Sequence, residues 1–198
     1  FPASSGGCLA AAVWWGRREK DNEPWADGAP HPVGQGGFYN GDGITSMHHN
    51  SAGTRISPTE IWESKNPWLI NKIEFAQDSC GAGEFRGGLG LDLEFEMTEE
   101  TFITTVVERT KNPPWGIKEG KAGRANNVQV IKKNGNKFYM PKKSGYKLEK
   151  GDKIIFLTGG GGGYGDPKLR KIEKIKNDLK QGYLTKKFVQ THFKQFYS

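Results

Sequence analysis

Only two cysteines, Cys8 and Cys80, occur in the 198 residues, and they match neither a metal-ligand spacing nor a disulfide framework. They predict ordinary buried or half-exposed thiols in a reducing, cytoplasmic setting. Long apolar runs are missing as well. No stretch approaches the roughly 20 residues that cross a bilayer, which excludes a membrane-spanning helix. The opening, FPASSGGCLAAAVWWGRREK, holds no basic start ahead of an apolar core and so does not read as a signal peptide. It holds no methionine either, and Phe1 reads as an internal residue of a longer polypeptide.

A general excess of basic charge is also absent. The net charge is +7, but residues 168–198 carry nine Lys/Arg against two Asp/Glu, while residues 1–167 carry twenty of each. A nucleic-acid reader places its basic residues among aromatics on a working face. Here they lie on a terminal stretch with apolar residues at helical spacing, which predicts a solvated helix face. No recognition motif accompanies it, so nucleic acid is not expected as a partner.

What the chain has in quantity is turn-forming and aromatic residues: 28 glycines, ten prolines and six tryptophans. Residues 1–66 show little periodicity, and EPWADGAPHPVGQGGFYNGDGITSMHHNSAGTR is dominated by turn formers. An irregular run of that length is more often functional or held by a partner than free-standing. From residue 67 short strand patterns take over. LDLEFEM (91–97) alternates cleanly, and TFITTVVER (101–109) is β-branched and apolar on both faces, as a central strand is. NNVQVIKK and KFYMP flank the turn NGN, and DKIIFLT (152–158) closes the series. The pattern predicts a mainly β, α+β protein: an antiparallel sandwich or barrel-like unit over 67–166, a long irregular N-terminal segment over 1–66 and a basic helical tail over 167–198. Asp166 and Pro167 predict the start of the tail. Leu169, Ile172, Ile175 and Leu179 share one helix face and Gly182 ends it. A shorter helix is expected over 185–193.

The five glycines of TGGGGGYGDP (158–167) invite a phosphate-binding reading. A Walker loop needs Gly-Lys-Ser/Thr, and Tyr164-Gly165-Asp166 stands there instead. The pattern Gly160-x-Gly162-x-x-Gly165 matches a dinucleotide fingerprint formally. No second strand with an acidic residue follows, as that fingerprint requires. Glycines also let backbones approach each other closely, and five in a row carry a large ordering cost unless something holds them. The run Gly160, Gly161, Gly162, Gly163 and Tyr164 therefore reads as a packing loop at a pocket wall or an interface.

Four segments, in order, resemble the hydantoinase B/oxoprolinase family. DSCGAGEFRGGLG (78–90) resembles its D-S-G-G-A-G-x-x-R-G-G-x-G signature, and NPPWGIKEGKAGRANN (112–127) its P-P-W-G segment. LEKGDKIIFLTGGGGGYGDP (148–167) resembles its G-D…T-P-G-G-G-G-Y-G-D-P close, and IKNDLKQGYLT (175–185) the ending that follows. With DGITSMHHNSAGTRISPTEIWE (42–63) the similarity runs from about residue 1 to about 190. Cys80 stands where glycine is commoner, and Thr158-Gly159 lacks the usual proline.

The resemblance implies the C-terminal third of a B-type subunit. Such a subunit works with a hydantoinase A-like ATP-binding partner that phosphorylates a carbonyl oxygen of a lactam, hydantoin or 5-oxoproline, after which water opens the amide. A related branch carboxylates ketones through an enol phosphate. A divalent metal, Zn or Mn, is implied on the N-terminal remainder of the subunit, and ATP with Mg on the partner. In this chain Asp42, His48 and His49 are the weak metal candidates. Neighbouring histidines on an extended segment point to opposite sides, so at most one faces a shared site. His49, Asn50, Thr54 and Arg55 are candidates for substrate or phosphate contact, since an arginine fork matches phosphoryl oxygens. Arg86 is either an anion ligand or a buried arginine paired with Glu84 or Asp78, the second being favoured. Trp115 reads as a core anchor with its N–H bonded.

Overall fold

The computed structural model describes residues 1–7, 10–47 and 56–197. Two antiparallel sheets face each other. The first has the order β2-β1-β5-β8, formed by Pro24–Pro30, Ala10–Arg17, Thr101–Val107 and Lys142–Leu148. The second has the order β3-β4-β9-β6-β7, formed by Trp68–Phe75, Leu91–Met97, Lys153–Leu157, Asn127–Ile131 and Lys137–Tyr139. Their inner faces interdigitate in one core. Trp14 and Ile103 from one sheet meet Leu93, Phe95, Ile154 and Phe156 from the other, all buried. The ring of Trp14 lies 5.5 Å from Phe95 and 5.9 Å from Phe156, tilted or edge-on as aromatic quadrupoles prefer. This is the expected antiparallel sandwich, mainly β with helices toward its C-terminal end.

Two strands lie within the stretch whose composition predicted only irregular chain. β1 turns Ala10, Ala12 and Trp14 inward, and two of those three are too small to mark a hydrophobic stripe. β2, PWADGAP, has the composition of a turn. It is extended because it pairs with β1 from Ala11↔Pro30 to Arg17↔Pro24, and at a sheet edge proline and glycine are tolerated. β5 occupies the central position expected for it, between β1 and β8. Only its inner face is covered, however: Phe102, Thr104 and Val106 point outward.

The NGN turn joins β6 to β7 as a hairpin, closed by Lys132 and Asn136 and with Gly135 at φ +85°. At the tail, the Asp166 side chain accepts the Lys168 N–H. It caps a single 3-10 turn over Pro167–Leu169 rather than the α-helix itself, and Leu169 is exposed. Helix α2 (Ile172–Lys180) starts later and ends before Gly182 at φ +72°. Helix α3 (Lys186–His192) follows, while α1 (Thr59–Lys65) precedes β3. Ile175, Leu184, Val189 and Phe193 form a second core against Cys80, Ala82 and Leu89. The tail is thus docked onto the segment around residue 80. Its lysines 168, 171, 176, 180, 186, 187 and 194 face solvent. Among the described residues no helix is long and apolar enough to cross a membrane.

Candidate functional site, a glycine bundle tied by buried charges

The five-glycine run leaves β9 and enters the centre of a bundle of extended, glycine-rich segments. A Cβ on Gly160 would fall on the carbonyl of Ser79, one on Gly161 on that of Gln35, and one on Gly162 on that of Trp115. One on Gly163 would return to the segment met by Gly160, at the carbonyl of Ala82. Successive residues thus face three different neighbours and the fourth repeats the first. That is the threefold period of a polyproline-II-type chain. A chain of this pitch surrounded on all three sides has no room for a side chain at any position. This is why the run is glycine throughout.

Backbone groups hold the segments together. The N–H groups of Gly161, Gly162 and Gly163 donate to Gly88, Ser4 and Lys121, and those of Tyr164 and Gly165 to Phe85 and Ile117. Gly159 donates to the Asn126 side chain, whose amide in turn donates to Gly6 and Glu108. Gly34, Gly37 and Gly81 donate back to Gly159, Gly162 and Gly161. A phosphate cradle needs N–H groups free for the anion, and these are spent on protein carbonyls. The loop is a packing element, as expected. It forms the buried centre of the bundle rather than a wall or an interface, because neighbours approach it from every side.

One flank of the bundle is sealed by four charged side chains. Asp178 of α2, 3% exposed, accepts from Arg86 at 3.1 Å and from Arg170 at 2.7 Å. Arg170 makes a two-pronged contact with Asp42, at 2.8 and 3.0 Å. Asp42 also accepts the backbone N–H of Arg86. The partner of Arg86 is therefore Asp178, not Glu84 or Asp78, and a second bond runs to the carbonyl of Gly87. Asp78 instead accepts both the N–H and the hydroxyl of Thr185, fixing the start of α3. Arg86, Arg170 and Asp178 are buried, and the half-buried Asp42, with Lys174 3.7 Å from it, completes the pairing that buried charges require. Their bonds join chain segments up to 128 residues apart.

Burial alone would push the Asp42 carboxyl up. The hydrogen bonds and charge of Arg170, aided by Arg86 and Lys174, outweigh burial and hold it below its ordinary value. A depressed folded-state pKa gives stability that is complete above the ordinary carboxylate value and is lost as pH falls through the folded value. Urea unfolding of the wild type is therefore expected to weaken steadily below about pH 4, near the ordinary carboxylate value. Asp42→Asn should lie lower at neutral pH and lose less on acidification, and parallel curves for the two proteins would contradict this.

The remaining sequence candidates divide plainly. His48, His49, Asn50, Thr54 and Arg55 lie outside the described residues. Asp42 is engaged by Arg170. Among the described residues no group of three His, Cys, Asp or Glu side chains is placed to hold a metal. Cys80 is buried and its thiol is pushed up to about 12 by that burial, which removes it as a nucleophile. Trp115 is no core anchor: it is 56% exposed, with the Arg109 guanidinium 4.7 Å above its ring. The prolines before it and the glycine after it place its backbone, not its ring, in the bundle. A cavity of about 440 Å³ between β2 and α1 is lined by Trp25, Asp27, Ser57, Trp62 and Asn66. It holds polar groups, with the Asn66 amide donating to Asp27 at 2.7 Å, but no general base poised on a nucleophile.

Asp178 and Arg170 were missed from sequence, although a signal exists. Asp178 lies three residues beyond Ile175 and beside Leu179, which puts a carboxylate on the apolar face of an amphipathic helix. A buried charge there requires a buried partner.

The chain is similar in sequence and in fold to known proteins. The family model for hydantoinase B/oxoprolinase matches residues 1–167. A Pseudomonas protein named as the B component of a D-/L-hydantoinase is 30% identical over 153 residues, 76% of this chain and 26% of that protein. The beta component of the Pseudomonas jessenii caprolactamase is 32% identical over 136 residues, 64% of this chain and 22% of that one. The crystal structure of the ATP-dependent caprolactamase from the same species superposes with a TM-score of 0.82 at 24% identity, over 96% of this chain and 34% of that chain. An acetone carboxylase structure gives 0.75 at 16% identity, over 96% and 30%. The chain thus spans about a quarter of the length of these two curated relatives.

Proposed function

The chain belongs to the hydantoinase B/oxoprolinase family, and from that premise we propose that it is the C-terminal portion of a B-type subunit in an ATP-dependent amidohydrolase. The observation that carries the reading is sequence similarity to components of two enzymes named for cyclic amides, hydantoin and caprolactam. An unstrained amide is a poor electrophile. Phosphoryl transfer to its carbonyl oxygen, by a hydantoinase A-like partner, makes the carbon open to water. In this reading the ATP and the divalent metal belong to the partner and to the remainder of the subunit. His49, Asn50, Thr54 and Arg55 are the residues of this chain that touch substrate or phosphate.

The chain by itself is expected to be inactive, since its described residues include no catalytic set. ATP hydrolysis by the complete complex is expected to rise at least tenfold on adding a lactam, hydantoin or 5-oxoproline. It should stay at its basal rate with acetone or acetophenone plus bicarbonate. The reverse pattern would favour the ketone carboxylase reading, which the likeness in fold to an acetone carboxylase keeps as the second possibility. No response to either class would contradict both.

A further inference from the structure

The two outer faces of the sandwich differ in kind. On the five-stranded sheet the outward residues of β4 are Asp92, Glu94 and Glu96, and they are paired: Lys153 lies 2.9 Å from Glu94, and Arg124 2.8 Å from Asp92. Along β4 that face is built for water, as one face of an antiparallel sheet normally is. The four-stranded sheet breaks this rule. Its outward residues are Ala11, Val13 and Trp15 on β1 and Phe102, Thr104 and Val106 on β5. Register places them side by side, Ala11 opposite Val106, Val13 opposite Thr104 and Trp15 opposite Phe102. Val13 and Val106 are 47% and 42% exposed. The result is a largely apolar stripe across the two central strands, with the Thr104 hydroxyl at its middle accepting the Gly145 N–H.

Polar groups frame the stripe. At one end Trp15 stacks on Phe102, with ring centroids 6.1 Å apart, beside a depression of about 390 Å³ bounded by Arg17 and Glu100. Past the other end of β5, Arg109, Lys111, Trp115 and Lys142 line a second depression of about 590 Å³. Lys142 stands directly opposite Val106 in the sheet, which joins this depression to the stripe. Arg109 holds φ +47°, a left-handed conformation unusual for a long side chain, and its guanidinium rests on the exposed Trp115 ring. An apolar centre with an aromatic and arginine anchor and a charged rim is the anatomy of a protein interface.

We propose that this face docks the N-terminal remainder of the same B-type subunit, through a segment apolar in its middle and acidic where it meets Arg109, Lys111 and Lys142. Chain length selects that occupant. In the relatives the matching region is 22% to 26% of a single polypeptide, so most of that polypeptide lies outside it and supplies surface to cover this face. The outer face of the five-stranded sheet carries paired charges along β4, and its exposed apolar side chains, such as Leu69 and Tyr139, stand apart on its two edge strands. The three cations at one end of the stripe set the orientation and require carboxylates opposite. The proposal rests on family membership but not on which amide or ketone the complex consumes.

The test is photocrosslinking in the complete native complex, with p-benzoylphenylalanine placed at Val13 and, as control, at Glu94. Crosslinked peptides from Val13 should come from the N-terminal two thirds of the subunit, and Glu94 should give none from that region. The double variant Val13→Glu/Val106→Glu, at exposed positions outside the core, should lower recovery of this chain with the remainder at least tenfold. Near-UV circular dichroism of the released chain should be unchanged. Crosslinks from Val13 to a second copy of this chain, to the ATP-binding subunit or to nothing would overturn the proposal, whatever substrate the complex uses.

Discussion

Gly161→Ala is expected to prevent the chain from reaching a cooperative native state. The added Cβ would overlap the Gln35 carbonyl, and no rotamer change relieves a clash between two backbones. Overpacking an ordinary core costs about 1–3 kcal/mol because side chains shift. Here the neighbours are hydrogen-bonded main chain, so the cost belongs with the exceptional losses above about 4 kcal/mol. Such a loss consumes most of a typical domain stability of about 5–15 kcal/mol. Gly135→Ala is the control. Gly135 has positive φ, but nothing lies within 4 Å of its Cβ direction, so only backbone strain of about 1–2 kcal/mol is added. Thermal unfolding followed by near-UV circular dichroism should show a shifted transition for Gly135→Ala and none for Gly161→Ala. A cooperative Gly161→Ala transition within a few degrees of wild type would mean that the bundle is looser than its geometry states.

Asp178→Ala should cost about 3–5 kcal/mol, the usual loss when one member of a buried ion network is removed and its partners stay charged. Arg86 and Arg170 would both face an apolar wall in place of a carboxylate 2.7–3.1 Å away. The damage should be local before it is global. Asp178 ties α2 to the bundle, so limited proteolysis is expected to cut within residues 168–197 while the sandwich survives. The paired replacement Asp178→Leu with Arg86→Met should recover part of the loss, because it removes both charges together. If Asp178→Ala unfolds at the same urea concentration as wild type, the network is not what holds the tail.

Both variants act at places that sequence reading only half disclosed, and the reasons are physical. Alternation in LDLEFEM and the NGN turn are local signals, and they produced β4 and the β6–β7 hairpin where expected. The glycine loop was legible as a packing element because five glycines need a support. Its threefold set of neighbours was not, since Gln35, Trp115 and Ser79 come from three distant segments. Arg86 reads as an anion ligand or, preferably, a buried structural residue, and it lies buried against Asp178. Its partner, 92 positions away, was sought within the same turn, although Asp178 stood on the apolar face of a helix. β2 escaped notice because alanine, glycine and proline carry no strand signal, and β1 because its inward face opens on Ala10 and Ala12. Trp115 misled for the opposite reason: a large aromatic after two prolines looks like an anchor, whereas it is an exposed platform for Arg109.

The proposed place of this chain as one piece of a multi-part catalytic assembly is tested most directly by the mass and composition of the native complex containing it. The 198 residues are expected to be recovered together with an N-terminal B-type remainder, joined covalently or not, and with an ATP-binding subunit. A stable species holding this chain alone, from the native source and under mild conditions, would contradict it.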